Sequence, residues 1–181
     1  MKKFPSPEDY EVSIDTECLI KSPKLASGYV EKVNDIIIRY VGGFCIVFPF
    51  YTPNGKKAVR CWHADVDNVQ KRIKVIAEEL SKAKLPYFVS FEYEENGIAT
   101  DAGIQPIVIM DWVEALELKD YVEKHRYNPE ALKKLAENFL KMTDDLHKHN
   151  FSHGDLQHGN ILIKDDGSIV LVDYDSMFVP G

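Results

Sequence analysis

The chain has 181 residues, 45% of them hydrophobic and 28% charged, enough to bury a real core as one domain or two small lobes. Its formal net charge of −7 argues against nucleic acid as the main partner, because backbone phosphates want a basic face; it leaves open a nucleotide held in a small basic pocket. No apolar run approaches a membrane span and none follows the opening lysines as a secretory signal would. The widely spaced Cys18, Cys45 and Cys61 read as thiols of a reducing compartment, so a cytoplasmic protein with no membrane partner is expected.

The polar residues 1–28 read as a leading arm with at most one short element. Three strand signals follow. "NDIIIRYV" and "FCIVFPFY" are rich in β-branched and aromatic residues and are separated by Gly42-Gly43, a hairpin signal; Asn54-Gly55 marks a second turn into "KKAVRCWH". From Val66 to Lys82 the pattern is helical, with Val69, Ile73, Ile76 and Leu80 on one side and Pro86 as a stop. "YFVSFEYEENG" and "IQPIVIMDWV" read as two further strands joined by the turn "EENGIATDAG". The first half is thus a five-stranded antiparallel sheet with one inserted helix.

The second half opens helically. "LELKDYVEKH" is a short helix, and Asn128-Pro129 supplies a cap and a first turn for a longer one. Leu132, Leu135, Phe139, Met142 and Leu146 line one face of it down to His149. A polar loop and a hairpin around Asp166-Gly167 close the chain. The fold class is α+β, with expected divisions at 1–28, 29–112 and 113–181.

Asp155 lies in the loop after the long helix, where backbone pairing does not consume it. Asn160 begins one arm of the hairpin and Asp173 ends the other, so a tight turn brings both to one end. Oxygen donors arranged in this way suit Mg²⁺ carrying substrate phosphates. Zinc on His147, His149, His153 and His158 is the competing idea, but no cysteine is near and the spacing fits no common zinc pattern.

"HGDLQHGN" followed by "VDYD" resembles the catalytic loop and metal-binding motif of the protein kinase-like superfamily, H-R-D-x-x-x-x-N and D-F-G. With "GGFCIVF", "AVRCW" and "LPYFVSFEY", the pattern more narrowly resembles bacterial serine/threonine kinase-like proteins. The resemblance implies ATP and Mg²⁺ as cofactors and Asp155 as the base that receives the hydroxyl proton. It makes Asn160 and Asp173 the metal holders and His153 a brace for the loop. Gly42, Gly43, Val47, Ala58 and Arg60 would line the nucleotide site, with Met110 behind it and the backbone of Asp111 and Val113 on the adenine.

Departures from the family pattern are specific. Arg60 stands at the lysine position, the alternative for it being a solvated strand arginine. Its helix partner falls near Ile76, with Glu78 and Glu79 slightly beyond. Gly154 replaces the loop arginine that docks a phosphorylated segment, Gln157 replaces a lysine, and Asp175 replaces the last glycine of D-F-G, which should restrict the backbone there. The chain stops at Gly181, where the family's activation segment begins, so the long helix is expected to expose an apolar face around Leu135 and Phe139 that invites self-association or a covering partner. Three functions follow: a phosphotransferase acting on serine or threonine of a protein; a pseudokinase-like module that binds nucleotide or protein without turnover; and a small-molecule phosphotransferase.

Overall fold

The computed structural model describes residues 4–64 and 69–180, the side chains of 69–71 excepted. Chain contacts divide it into two units, residues 1–68 with 91–112 and residues 69–90 with 113–181.

In the first unit the polar opening is not a loose arm. Ser6 and Asp9 form a reciprocal capping box that starts α1 (Pro7–Ile14), leaving two fewer orphan N–H groups at the helix start. Tyr10 and Ile14, one helical turn apart, and Leu25 after them are each 1% exposed. The expected arm is therefore part of the core.

"NDIIIRYV" is not one strand. Asn34 and Asp35 take left-handed φ values of 51° and 62° and close a tight hairpin between β2 (Lys32–Val33) and β3 (Ile36–Ile37), a conformation that short polar side chains tolerate. β1 (Tyr29–Val30) and β4 (Tyr40–Val41) pair with different stretches of β5 (Cys45–Thr52). The sheet consequently has six strands rather than five. Gly42 and Gly43 do lie in the β4–β5 turn. The next turn is centred on Pro53-Asn54, one residue before the expected place, since Thr52 pairs with Gly55 at the start of β6 (Gly55–Trp62).

The expected turn "EENGIATDAG" is mostly strand. β7 (Phe91–Thr100) and β8 (Gly103–Asp111) reverse only at Asp101-Ala102. Pro106 on the facing strand accounts for the break in the ladder, since it has no N–H to donate. The register jumps there from Glu94↔Ile107 to Ile98↔Gln105 and leaves Glu95, Asn96 and Gly97 bulged opposite the proline. The bulge has a use. Gly97 O accepts from the N–H groups of Lys21 and Ser22 at 2.9 and 3.1 Å, tying the opening segment to the sheet. Strand alternation sends Ile46, Phe48, Phe50, Val59, Cys61 and Ile107 to the face that packs with Tyr10, Ile14 and Leu25. Each such burial contributes about 1.5–3 kcal/mol.

In the second unit α2 (Val69–Ala83) buries Ile73, Ile76 and Leu80 at helical spacing; the expected start at Val66 lies outside the described residues. Lys84, at φ 51°, ends the helix. Residues 87–89 then run beside β11 (Ile169–Leu171), with Leu171 N–H on Tyr87 O at 2.7 Å and a parallel bridge from Phe88 to Leu171. β9 (Leu116–Glu117) and α3 (Leu118–Lys124) stand where a single short helix was expected, because residues 116–117 pair with β10 (Ile161–Ile163).

α4 (Pro129–Lys148) starts as the sequence foretells: Asn128 Oδ1 accepts from Ala131 N–H at 3.1 Å. Leu135, Met142 and Leu146 are buried, and Leu132 and Phe139 are half-buried. Leu135 thus does not form the exposed apolar face expected of it; Leu140, one residue round the helix from Phe139, is the exposed leucine at 65%. Lys134 and Asn138 reach from α4 to the carbonyls of Asp166 and Gly167, both at 2.7 Å, and fix the turn between β10 and β11. No helix among the described residues is long and apolar enough to cross a membrane.

Candidate active site

The β10–β11 hairpin sets the site's frame. Ile161 pairs with Leu171, and one step outward Val172 N–H donates to Asn160 O at 3.0 Å. Asn160 and the residues just before Asp173 are therefore held at one end of the hairpin, as the sequence expects.

Asn160 is 8% exposed, and its amide turns back onto the preceding loop. Nδ2 donates to Asp155 O at 2.9 Å and to Asp155 Oδ2 at 3.0 Å. One amide group thereby fixes both the backbone and the carboxylate of Asp155, and its own Oδ1 is left for another partner. Asp155 is exposed; its Oδ2 also accepts from Gln157 Nε2 at 3.3 Å. Gln157 thus sits on the carboxylate, in the place where the family's lysine stands. His153 is 1% exposed and bonds through Nε2 to Val172 O at 2.9 Å, joining the loop to the hairpin as a brace would.

Asp173 has a φ of 63°. Left-handed backbone in a non-glycine residue costs of order 1–3 kcal/mol and persists where its surroundings over-determine it. The surroundings here do: Val172 is bonded through both N–H and carbonyl, and Tyr174 O accepts from Met177 N–H at 3.0 Å. Asp175 has no such φ, so the missing glycine of D-F-G is not needed at that position. Gly154, by contrast, has a φ of 78°, and a Cβ there would lie 2.2 Å from Ser176 O. No arginine fits at that position because the segment after Asp173 occupies the space. That segment is pinned by Ser152 and Phe178, which exchange backbone bonds of 3.1 and 2.7 Å.

The first unit holds the other expected nucleotide-site residues except Val113. Val47 lies opposite Arg60 and Arg60 opposite Val108; Ala58 lies opposite Met110. By alternation Val47, Ala58, Arg60 and Met110 share one face of the sheet, the reverse of the face that packs on α1. Arg60 is 5% exposed, which rules out a solvated strand arginine, and its guanidinium lies 6.0 Å from the Trp62 ring centroid. Gly42 and Gly43 are exposed, neither takes a left-handed φ, and a Cβ at Gly43 would meet nothing within 4 Å. Neither conformation nor packing within the chain demands glycine there. Asp111 pairs with Lys57 at 2.5 Å, while Val113 is half-buried at the start of the second unit's longer segment. On α2, Glu79 is engaged by Lys82 at 2.6 Å and Ile76 is buried.

The histidines are dispersed among different tasks: His149 Nδ1 lies 2.8 Å from Asp145 O, and His158 Nδ1 lies 3.7 Å from Glu117 Oε2. Among the described residues no three His, Cys, Asp or Glu side chains gather to hold a metal.

Sequence reasoning missed the part played by Tyr174. It is 2% exposed; its hydroxyl accepts from Val89 N–H at 2.9 Å and donates to Leu171 O at 2.7 Å. The only signal was a tyrosine where the family motif has phenylalanine.

Residues 96–178 match the ABC1 atypical kinase-like domain. A stretch of 53 residues, 29% of the chain, is 47% identical to a fowlpox virus (strain NVSL) protein described as a probable serine/threonine-protein kinase, of which it covers 18%. Another of 67 residues, 37% of the chain, is 30% identical to a probable serine/threonine-protein kinase of Dictyostelium discoideum, of which it covers 8%. The chain thus matches only a small part of each relative's length.

Proposed function

Since the chain belongs to the protein kinase-like superfamily, we propose that it transfers the γ-phosphoryl group of ATP to a hydroxyl, with serine or threonine of a protein as the acceptor. Asp155 orients the acceptor hydroxyl and receives its proton. Asn160, through Oδ1, and Asp173 would hold Mg²⁺, which when bound neutralises charge on the transferring phosphates. The donor set fits that ion, since Mg²⁺ on a nucleotide needs only one or two carboxylates with water and phosphate completing its shell. Arg60 supplies the positive charge for the phosphates in place of lysine, and Gly42 and Gly43 leave room for backbone N–H groups to approach them.

The observation that carries this reading is the pair of hydrogen bonds that Asn160 Nδ2 donates to the backbone and side-chain oxygens of Asp155. It makes base and metal-side amide one unit, so the proton acceptor is positioned before substrate arrives. The acceptor class rests on the two relatives' descriptions. Arg60 favours a second reading, a module that binds nucleotide without turnover, because a guanidinium is larger and less adaptable than an ammonium.

The test is the melting temperature with ATP, with and without Mg²⁺, in the wild type and Asp173→Asn, followed by ADP release in the wild type and Asp155→Ala. Ligand at a hundredfold excess over Kd stabilises the native state by about 2.7 kcal/mol, a visible shift. We expect a Mg²⁺-dependent shift that Asp173→Asn loses, and turnover that falls by about a hundredfold or more in Asp155→Ala. A shift without turnover selects the binding module. No shift in a folded sample rejects both.

A further inference from the structure

We infer that Tyr174 is a positioning residue whose hydroxyl, absent from the phenylalanine of the family motif, holds Asp173 in its metal-facing turn and couples that turn to residues 87–89. The inference rests on the functional reading above, in which Asp173 holds Mg²⁺.

The hydroxyl closes a local ring and a long-range one together. It donates to Leu171 O, three residues before it, and accepts from Val89 N–H, 85 residues away. Asp173 lies inside the local ring with its left-handed φ of 63°. Residues 87–89 are held to the same strand end by Leu171 N–H on Tyr87 O at 2.7 Å. Phe88 and His153 rings pack edge-on to Tyr174 at 5.8 and 6.3 Å. A phenylalanine would keep this packing and lose both bonds, leaving Val89 N–H and Leu171 O buried without the hydroxyl. The turn would then have less to offset the cost of its backbone conformation.

The experiment compares wild type, Tyr174→Phe and Phe88→Leu by amide hydrogen exchange without ligand, and by half-saturating Mg²⁺ for ATP-induced stabilisation. In Tyr174→Phe we expect faster exchange at Val89 and across 172–177, and a rise in half-saturating Mg²⁺ of about five- to tenfold, with turnover at saturating Mg²⁺ retained. A residue important only for stability would lower the melting temperature and leave the Mg²⁺ requirement alone. Phe88→Leu disturbs the ring contact and spares the hydroxyl, so it should leave that requirement within about twofold. An unchanged Mg²⁺ requirement in Tyr174→Phe, or an equal rise in Phe88→Leu, overturns the inference while the functional reading stands. A wild type without a Mg²⁺-dependent shift overturns the functional reading, and this assignment with it.

Discussion

Gly154 shows how one residue of the loop is dictated by a neighbour far along the chain. Its φ of 78° suits glycine, and a Cβ would stand 2.2 Å from Ser176 O. Ser176 has little freedom to retreat, because Met177 N–H is bonded to Tyr174 O at 3.0 Å and Phe178 pairs with Ser152. Gly154→Ala should therefore destabilise the protein by about 2–4 kcal/mol, measured as a lower urea midpoint at unchanged m. Gly154→Arg, which restores the family residue, should be worse still; a variant as stable as wild type would show that the segment after Asp173 is free to move. The order and spacing of Asp155, Asn160 and Asp173 were legible in the sequence because they lie within a few residues of one hairpin. The reasons for Gly154 and for the Tyr174 hydroxyl were not, because their partners Ser176 and Val89 lie 22 and 85 positions away.

At the scale of elements, α4 was read nearly to the residue. Its signals are local: an Asn-Pro start, a helical apolar period, and histidines at the end where the helix dipole favours positive charge. The β7–β8 hairpin was misread for the opposite reason. "EENG" carries turn composition, yet the bulge it forms answers Pro106 on the facing strand, and only pairing reveals that. Gly97 is the tight point of the bulge. A Cβ there would lie 2.3 Å from Ile107 Cγ1 and 2.8 Å from its Cγ2, in a side chain that is itself fully buried. Ile107→Ala alone should cost about 2–5 kcal/mol as a cavity, and Gly97→Ala alone should cost stability by overpacking. The double variant should be more stable than the sum of the two losses, by about 1 kcal/mol or more, because the alanine at 107 removes the atoms the new Cβ meets. Strict additivity in a double-mutant cycle would mean that Gly97 is required for its backbone alone.

For the whole molecule, the two units are not consecutive stretches of chain: it passes from one to the other near residues 68, 90 and 112. The sequence shows that α2 buries Ile73, Ile76 and Leu80 but not what they bury against, so an element between two strands reads as part of the sheet's own lobe. The bonds of residues 87–89 point elsewhere. Tyr87 O receives Leu171 N–H, Tyr87 Oη donates to Asp145 Oδ2 at 2.7 Å, and Val89 N–H meets Tyr174. These partners all lie beyond residue 112, so a fragment of residues 1–112 keeps the six-stranded sheet and its α1-side core but strips 69–90 of them. An isolated helix of α2's 15 residues is marginal in water without a packed face. Hydrogen exchange on that fragment should thus show protected amides in β5, β6 and β8, and amides in 69–90 that exchange at close to the unfolded rate. Protection at Ile73 and Ile76 in the fragment would mean that α2 does not need the residues beyond 112 to stay folded.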